Sequence, residues 1–377
     1  MKLIRLKAIT RKEFYHLIRD YRSLYLAFAI PLLLIMLFGY ALSLDVDHVP
    51  TVFVDYDQSA LSRDFIRKLQ ASSYFNVTGT LPRTQDAVEE LDHDRVRVAI
   101  VIPSDFMKNI TADREAQLQV LIDASDPTFG NIIRGYITSF VERYNQKLLV
   151  SFLNRQGLEE LRPPVDGRIR IWFNEDLESR NFIIPGIIAI IIMIVGALLT
   201  SLVIAREYEN GTMETIKSMP VRAPEFLLGK AIPYFFIGLT DVLVAILLGQ
   251  LLFGIVMKGN FWLMILAASL YLGVALSLGL LISIRTKSQL MANQLAILTT
   301  YLPSLLLSDF VFPIVNMPKV IQFITLAVPA RYFIDILSGV YLRNLGLAYL
   351  WPSLLVLLMM LIVLTVLNFR SLRKEGL

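Results

Sequence analysis

Long uncharged apolar runs alternate along this chain with short charged stretches. Uncharged runs cover Leu24–Leu44, Phe182–Ala205, Phe261–Ile284, Ser288–Ser308 and Ala348–Phe369, and Ala231–Met257 carries one charge, Asp241. About 20 helical residues cross the hydrocarbon of a bilayer, and each run reaches that length. Buried core helices of this length do not recur six times in one chain, so the pattern predicts six transmembrane helices. Between the second and third runs lies Arg206–Glu225, charged and punctuated by Gly211, Pro220 and Pro224. It is too short for a domain and too polar for lipid. Its expected use is to touch something outside the membrane.

Asp45–Asn181 reads differently. Strand-like runs occur at Pro50–Val54, Val96–Ile102 and Leu118–Ile122, with helical stretches around Ala60–Gln70, Thr84–Leu91 and Asp105–Thr111. Asp126-Pro127 has the form of a helix cap followed by a first-turn proline. After it, Phe129, Ile132, Ile133, Tyr136, Ile137, Phe140, Tyr144 and Leu148 keep one helical face apolar. The expected architecture is an α-helical integral membrane protein of six transmembrane helices with an inserted α/β extracytoplasmic domain. Residues 1–23 form a basic cytoplasmic segment, 24–44 the first helix, 45–181 the inserted domain and 182–377 the remaining membrane domain. The five later spans are placed at 182–205, 231–257, 261–284, 288–308 and 348–369. Asp309–Leu347, broken by Pro313, Pro318 and Pro329, fits re-entrant or interfacial helices.

Composition agrees with a membrane class: mean hydropathy is +0.58 and 18% of residues are charged. With the N-terminus inside, the cytoplasmic segments hold Lys2, Arg5, Lys7, Arg11, Lys12, Arg19 and Arg22. They also hold Arg206, Lys217, Arg222, Lys230, Arg285, Lys287, Arg370, Arg373 and Lys374. The opposite short loops hold Lys258, Lys319, Arg331 and Arg343. Sixteen cations against four orient both termini towards the cytoplasm. The pI near 9.1 therefore reports topology and does not call for nucleic acid. Ala41-Leu42-Ser43 loosely resembles a signal-cleavage site, but the 21-residue run and its long leader favour an uncleaved anchor. There is no cysteine, hence no disulfide.

Candidate chemistry is sparse. His16, His48 and His93 have no metal-ligand spacing. Gly229-Lys230 is followed by Ala231, and Pro224, not glycine, stands five positions before Gly229, so a Walker A loop is missing. No catalytic, cofactor or metal residues are expected. Gly211 is read as the left-handed end of the helix leaving the bilayer. Thr212 is read as the cap of a two-turn helix, Glu214 as the complement of its dipole, and Pro220 and Pro224 as its stops. Asp241 is the intramembrane polar candidate, and Gln289, Asn293 or Gln294 on the fifth helix are its expected partners.

The same residues carry a resemblance. Phe182-Ile183-Ile184-Pro185-Gly186, Ala205-Arg206-Glu207-Tyr208-Glu209-Asn210-Gly211-Thr212-Met213-Glu214, Pro220 and Gly229-Lys230 occur in an order that resembles the ABC-2 family of ABC-transporter permeases. Leu307-Ser308-Asp309-Phe310-Val311-Phe312-Pro313-Ile314, Asn316-Met317-Pro318 and Pro329-Ala330-Arg331-Tyr332 are similar to that family's closing region. Asn210 departs from its usual Arg or Gly, and Asp309 from its usual Gly. The resemblance implies a six-helix permease in the inner membrane, of the drug-export-like branch with a large periplasmic domain. It implies pairing with a second permease subunit, identical or not, and ATP binding on a separate cytoplasmic ABC subunit; a periplasmic adaptor is a further expected partner. Arg206, Glu207, Gly211, Thr212 and Glu214 would shape the ATPase-coupling loop. Few polar groups fall within the spans, so a hydrophobic or amphipathic cargo is expected. The alternative class is an ion-coupled secondary transporter using Asp241, with a membrane-anchored sensor and an enzyme as further readings.

Overall fold

The computed structural model describes residues 3–41, 48–112, 114–155, 173 and 179–376. The ends of the inserted segment, the tail of the first apolar run and the Leu42–Ser43 bond lie outside the described residues. The chain divides into two compact units, one formed by Met1–Ser43 with Ile171–Leu377 and the other by Leu44–Arg170.

The smaller unit is a four-stranded sheet in the order β2-β1-β3-β4, from β1 (Val49–Asp55), β2 (Phe75–Leu81), β3 (Val98–Ile102) and β4 (Gln119–Ile122). The first strand runs parallel to β2 and β3, and β4 is antiparallel to β3. All five residues of β3 are buried, as a central strand covered on both faces requires. Helices α3 (Ala60–Gln70), α4 (Thr84–Asp92) and α5 (Phe106–Thr111) make the crossovers, and α6 (Pro127–Arg155) follows β4. Phe65 makes edge contacts with Phe53, Phe106, Phe140 and Tyr144, which ties α3, α5, α6 and the sheet together. The Asp126 carboxylate accepts from the Phe129 amide at 3.4 Å, capping α6. The edge strand β2 was not expected from the sequence. Only Phe75 along it is buried, so its apolar signal is weak.

The larger unit contains α1 (Leu3–Arg19), α2 (Tyr21–Ala41), α7 (Arg180–Glu209), α8 (Thr212–Ser218), α9 (Ala223–Phe253) and α10 (Phe261–Thr286). It continues with α11 (Gln289–Ala296), a π-helical turn at Ile297–Tyr301, α12 (Leu302–Leu306), α13 (Lys319–Thr325), α14 (Pro329–Tyr341) and α15 (Leu347–Lys374). Helix α7 is apolar on every side and lies at the centre, touching α2, α9, α10, α11 and α14. Small residues bring α7 and α10 together: a Cβ on Gly196 would meet the Ala275 Cβ at 2.9 Å. Polar side chains pin the same contact. The Thr200 hydroxyl donates to the Leu276 carbonyl at 2.9 Å, and Ser283 Oγ accepts the Ala205 amide at 2.8 Å. Helix α9 instead has two faces. Gly238, Asp241, Val242, Ala245 and Gly249 are buried, while Phe236, Leu243, Leu247 and Leu251 are exposed, as expected where lipid is the solvent.

Among the described residues four helices are long and apolar enough to cross a membrane: α7, α9, α10 and α15. The pair α13 and α14, bent by 80°, makes a fifth if counted as one broken span. This bend falls in the segment expected to be re-entrant or interfacial. Helix α2 is 21 residues long, and among its described side chains the apolar stretch is Phe28–Tyr40. The run Ser288–Ser308 is helical without a break from Gln289 to Leu306, with the π turn at Ile297–Tyr301 set between α11 and α12 and right-handed backbone through both joins. Asp309 has φ +72, in the left-handed region that favours glycine. Its carboxylate accepts the Ile314 amide at 2.7 Å, a local bond that lets Asp occupy the left-handed region.

Candidate functional site

The charged stretch becomes a compact elbow once the helices are in place. Helix α7 runs on to Glu209, and Gly211 takes φ +71 with no atom within 4 Å of an added Cβ. The glycine is needed there for its backbone and not for space. Helix α8 then fills Thr212–Ser218, and α9 starts at Ala223, before the apolar run that begins at Ala231. Pro224 lies in the first turn of α9 and starts that helix; it was expected to stop α8. The Thr212 hydroxyl does not cap α8 as expected. It donates back to the Glu207 carboxylate, closing the elbow on itself. Met213 is buried and Ile216 packs beneath it, while Thr212, Glu214, Thr215, Ser218 and Met219 face outward. Glu214 lies in the first turn of α8, where it complements the helix dipole.

Beneath the elbow is a buried ion cluster. Lys230 Nζ, 2% exposed, stands 2.7 Å from Glu207 Oε1 and 3.2 Å from Glu13 Oε2. Lys12 Nζ reaches the same Glu207 oxygen at 3.2 Å, and the Tyr234 hydroxyl donates to Glu13 at 3.3 Å. Two carboxylates meet two ammonium groups, so the cluster is neutral. An isolated charge at this depth would cost several kcal/mol, and the arrangement removes that cost without leaving a charge unpaired.

Helix α1 makes the cluster possible. Arg5, Ile9, Glu13 and Leu17 recur every fourth residue and so share one face. They follow α9 in the same direction. Arg5 donates to the Pro220 carbonyl and lies 3.9 Å from Glu225, Ile9 covers Gly229, and Glu13 reaches Lys230 and Tyr234. A Cβ on Gly229 would come within 2.8 Å of the Ile9 Cβ, so only glycine admits α1 at this distance.

A second polar layer surrounds the first. Arg206 pairs with Asp20 at 3.4 Å and donates to Gln289 Oε1 at 3.4 Å, and Glu209 accepts the Gln289 amide at 2.8 Å. Lys287 binds Glu375 at 2.6 Å and lies 5.1 Å from the centre of the Tyr208 ring. Hydrogen bonds, first from Lys287, hold the Glu375 carboxyl below the usual carboxylate range.

Of the residues singled out in the sequence, Arg206, Glu207, Gly211, Thr212 and Glu214 thus share one elbow. Glu13, Lys230 and Tyr234 were missed as members. The available signal was Glu13 itself, an acid on the apolar face of an otherwise basic helix. Asp241 is elsewhere, 2% exposed in the middle of α9, and its Oδ1 has no hydrogen-bond partner among the described residues. Gln289 is not that partner, because Arg206 and Glu209 engage it.

Residues 22–370 match the family described as ABC-2 family transporter protein. The chain belongs to that family. It is 36% identical over 341 residues to the probable multidrug ABC transporter permease YbhS of Escherichia coli strain K12, covering 90% of this chain and 89% of that protein. Identity to the probable multidrug ABC transporter permease YbhR of the same strain is 27% over 350 residues, 93% of each chain. With the inner membrane transport permease YhhJ of that strain it is 28% over 323 residues, 82% of this chain and 81% of the relative. Membership makes this ABC-2 chain a membrane-spanning permease subunit of an ABC transporter, a kind of subunit that works with an ATP-binding one.

Proposed function

We propose that this ABC-2 chain is the permease subunit of an exporter that moves a hydrophobic or amphipathic compound outward across a bacterial inner membrane. A separate cytoplasmic ATPase powers it. The observation that carries the reading is the outward face of α8, held on the neutral Lys230–Glu207–Glu13–Lys12 cluster. A short helix on a rigid polar base can pass force from a docked subunit into α7 and α9 together. Six spans, with both termini cytoplasmic and residues 45–181 outside, complete the reading, as does pairing with a second permease copy or homologue. A periplasmic adaptor is a further partner, and the multidrug names of the relatives support lipophilic cargo.

Gly211→Val tests the coupling role. The substitution meets no neighbour but forces a β-branched residue to positive φ, at roughly 1–3 kcal/mol of local strain. We expect the permease to insert and the ATPase to lose cargo-stimulated turnover or co-purification. Normal transport by this variant would remove α8 from the coupling path.

Asp241 supports a second reading, because a buried carboxylate with an unpartnered oxygen is the group an ion-coupled carrier would use. Uptake of a lipophilic dye into inverted vesicles, with ATP present and ion gradients collapsed by ionophores, separates the two. Continued uptake, also by Asp241→Asn, is the outcome expected for an ATP-driven permease.

A further inference from the structure

Two cavities at the α8 end of the larger unit adjoin, with His16, Asp20 and Arg206 lining both. The outer one, about 600 Å³, is a basic mouth lined by Lys12, Tyr15, His16, Arg19, Asp20 and Arg206. Lys12 is paired with Glu207 and Arg206 with Asp20, so the surplus positive charge of the mouth is that of Arg19, which has no ion-pair partner among the described residues. The inner one is a narrow slot of about 110 Å³. Its apolar walls are Ile30 on α2 and Val195, Leu198, Leu199, Leu202 and Val203 on α7. From Arg206 to Val195 the slot follows α7 for roughly 16 Å, at 1.5 Å per residue. That length is about half of the ~30 Å hydrocarbon core, the depth of one leaflet.

We propose that this mouth and slot bind one anionic phospholipid from the leaflet beside α8, with its phosphate at Arg19 and Arg206 and one acyl chain along α7. Three features select that chemistry. The surplus positive charge at the mouth selects an anion, because basic pockets at the ends of membrane helices attract acidic headgroups. Beyond its mouth the slot is lined by aliphatic side chains with Tyr234 and Asn293 as the polar exceptions, so it favours a hydrocarbon chain. Its depth matches a molecule already anchored in the leaflet. A lipid held there would touch α1, α2 and α7 at once, and would brace α1 against the helix that ends in the elbow. Lipid retention there requires neither the cargo nor a given direction of transport.

The test is native mass spectrometry of the full-length, delipidated permease, titrated with phosphatidylglycerol and, in parallel, phosphatidylcholine of the same chains. Wild type is expected to retain one phosphatidylglycerol in preference to phosphatidylcholine. Arg19→Glu, at the mouth, and Leu199→Trp, in the slot, are each expected to weaken it on the order of tenfold. Leu199→Met keeps the slot open and is expected to bind as wild type does, which separates filling of the slot from a general folding defect. Equal retention of both lipids, or unchanged binding in Leu199→Trp, would overturn the proposal. Competition by water-soluble glycerol phosphate as strong as by the lipid would assign the mouth to a free anion and overturn it too. Each readout is independent of ATPase coupling, so it fails or succeeds apart from the exporter reading.

Discussion

Lys230 is the residue on which most of the elbow depends. Among the described residues its ammonium alone bridges Glu13 and Glu207, and both carboxylates are nearly buried. Lys230→Ala would leave Glu13 with only the Tyr234 hydroxyl and Glu207 with Lys12. Breaking a buried pair by removing one partner costs about 3–5 kcal/mol, so thermal unfolding of the purified permease should shift down clearly. The double variant Glu13→Gln with Lys230→Met removes one charge of each sign and leaves Lys12 facing Glu207. It should recover most of that loss, and failure to recover would mean the ammonium acts through packing alone. At the periphery, Glu375 has a folded-state pKa below its ordinary value, chiefly through the Lys287 hydrogen bond. Its contribution to stability is therefore present above the ordinary carboxylate pKa and is lost as pH falls through the lowered value. Carbon-13 NMR of the Glu375 carboxyl should show that low midpoint, and Lys287→Met should return it towards the ordinary range.

Among the elements, α1 is the one whose role depends on a single close approach. Gly229→Ala places a methyl group against Ile9, and relief requires α1 to move away from α9. Trypsin cleavage at Arg11 and Lys12 should then accelerate in membranes opened on that side. Ile9→Ala in the same protein should slow it again. The sequence made α3 and α6 legible because their apolar faces and caps repeat at helical spacing. It also made β3 legible as an unbroken apolar run, and Gly211 as a backbone hinge. Strand β2 was hidden because an edge strand buries little, and the π turn inside the helical run Gln289–Leu306 leaves no mark in an evenly apolar sequence. The ion cluster was hidden for a different reason. Its members come from three helices distant in sequence, and each of them alone looks like an ordinary interfacial charge.

For the whole molecule, the strongest expectation still rests on the distribution of cations. Ser73→Cys should react with an impermeant maleimide from outside intact cells, and Ser218→Cys only after the membrane is opened. The reverse pattern would invert the protein and move the elbow to the wrong side for a cytoplasmic ATPase. Glu13 and Lys230 add a constraint of time. They are 217 residues apart in the chain, yet neither is comfortable in the interior without the other. At a synthesis rate of about 5–20 residues per second, α1 leaves the ribosome roughly 10–40 s before its counter-ion. During that interval it must wait at the water interface, with its acid solvated and its basic face on the lipid headgroups. The knot is thus tied late in biogenesis, and a chain stopped before α9 would leave its first helix undocked and open to quality-control proteases.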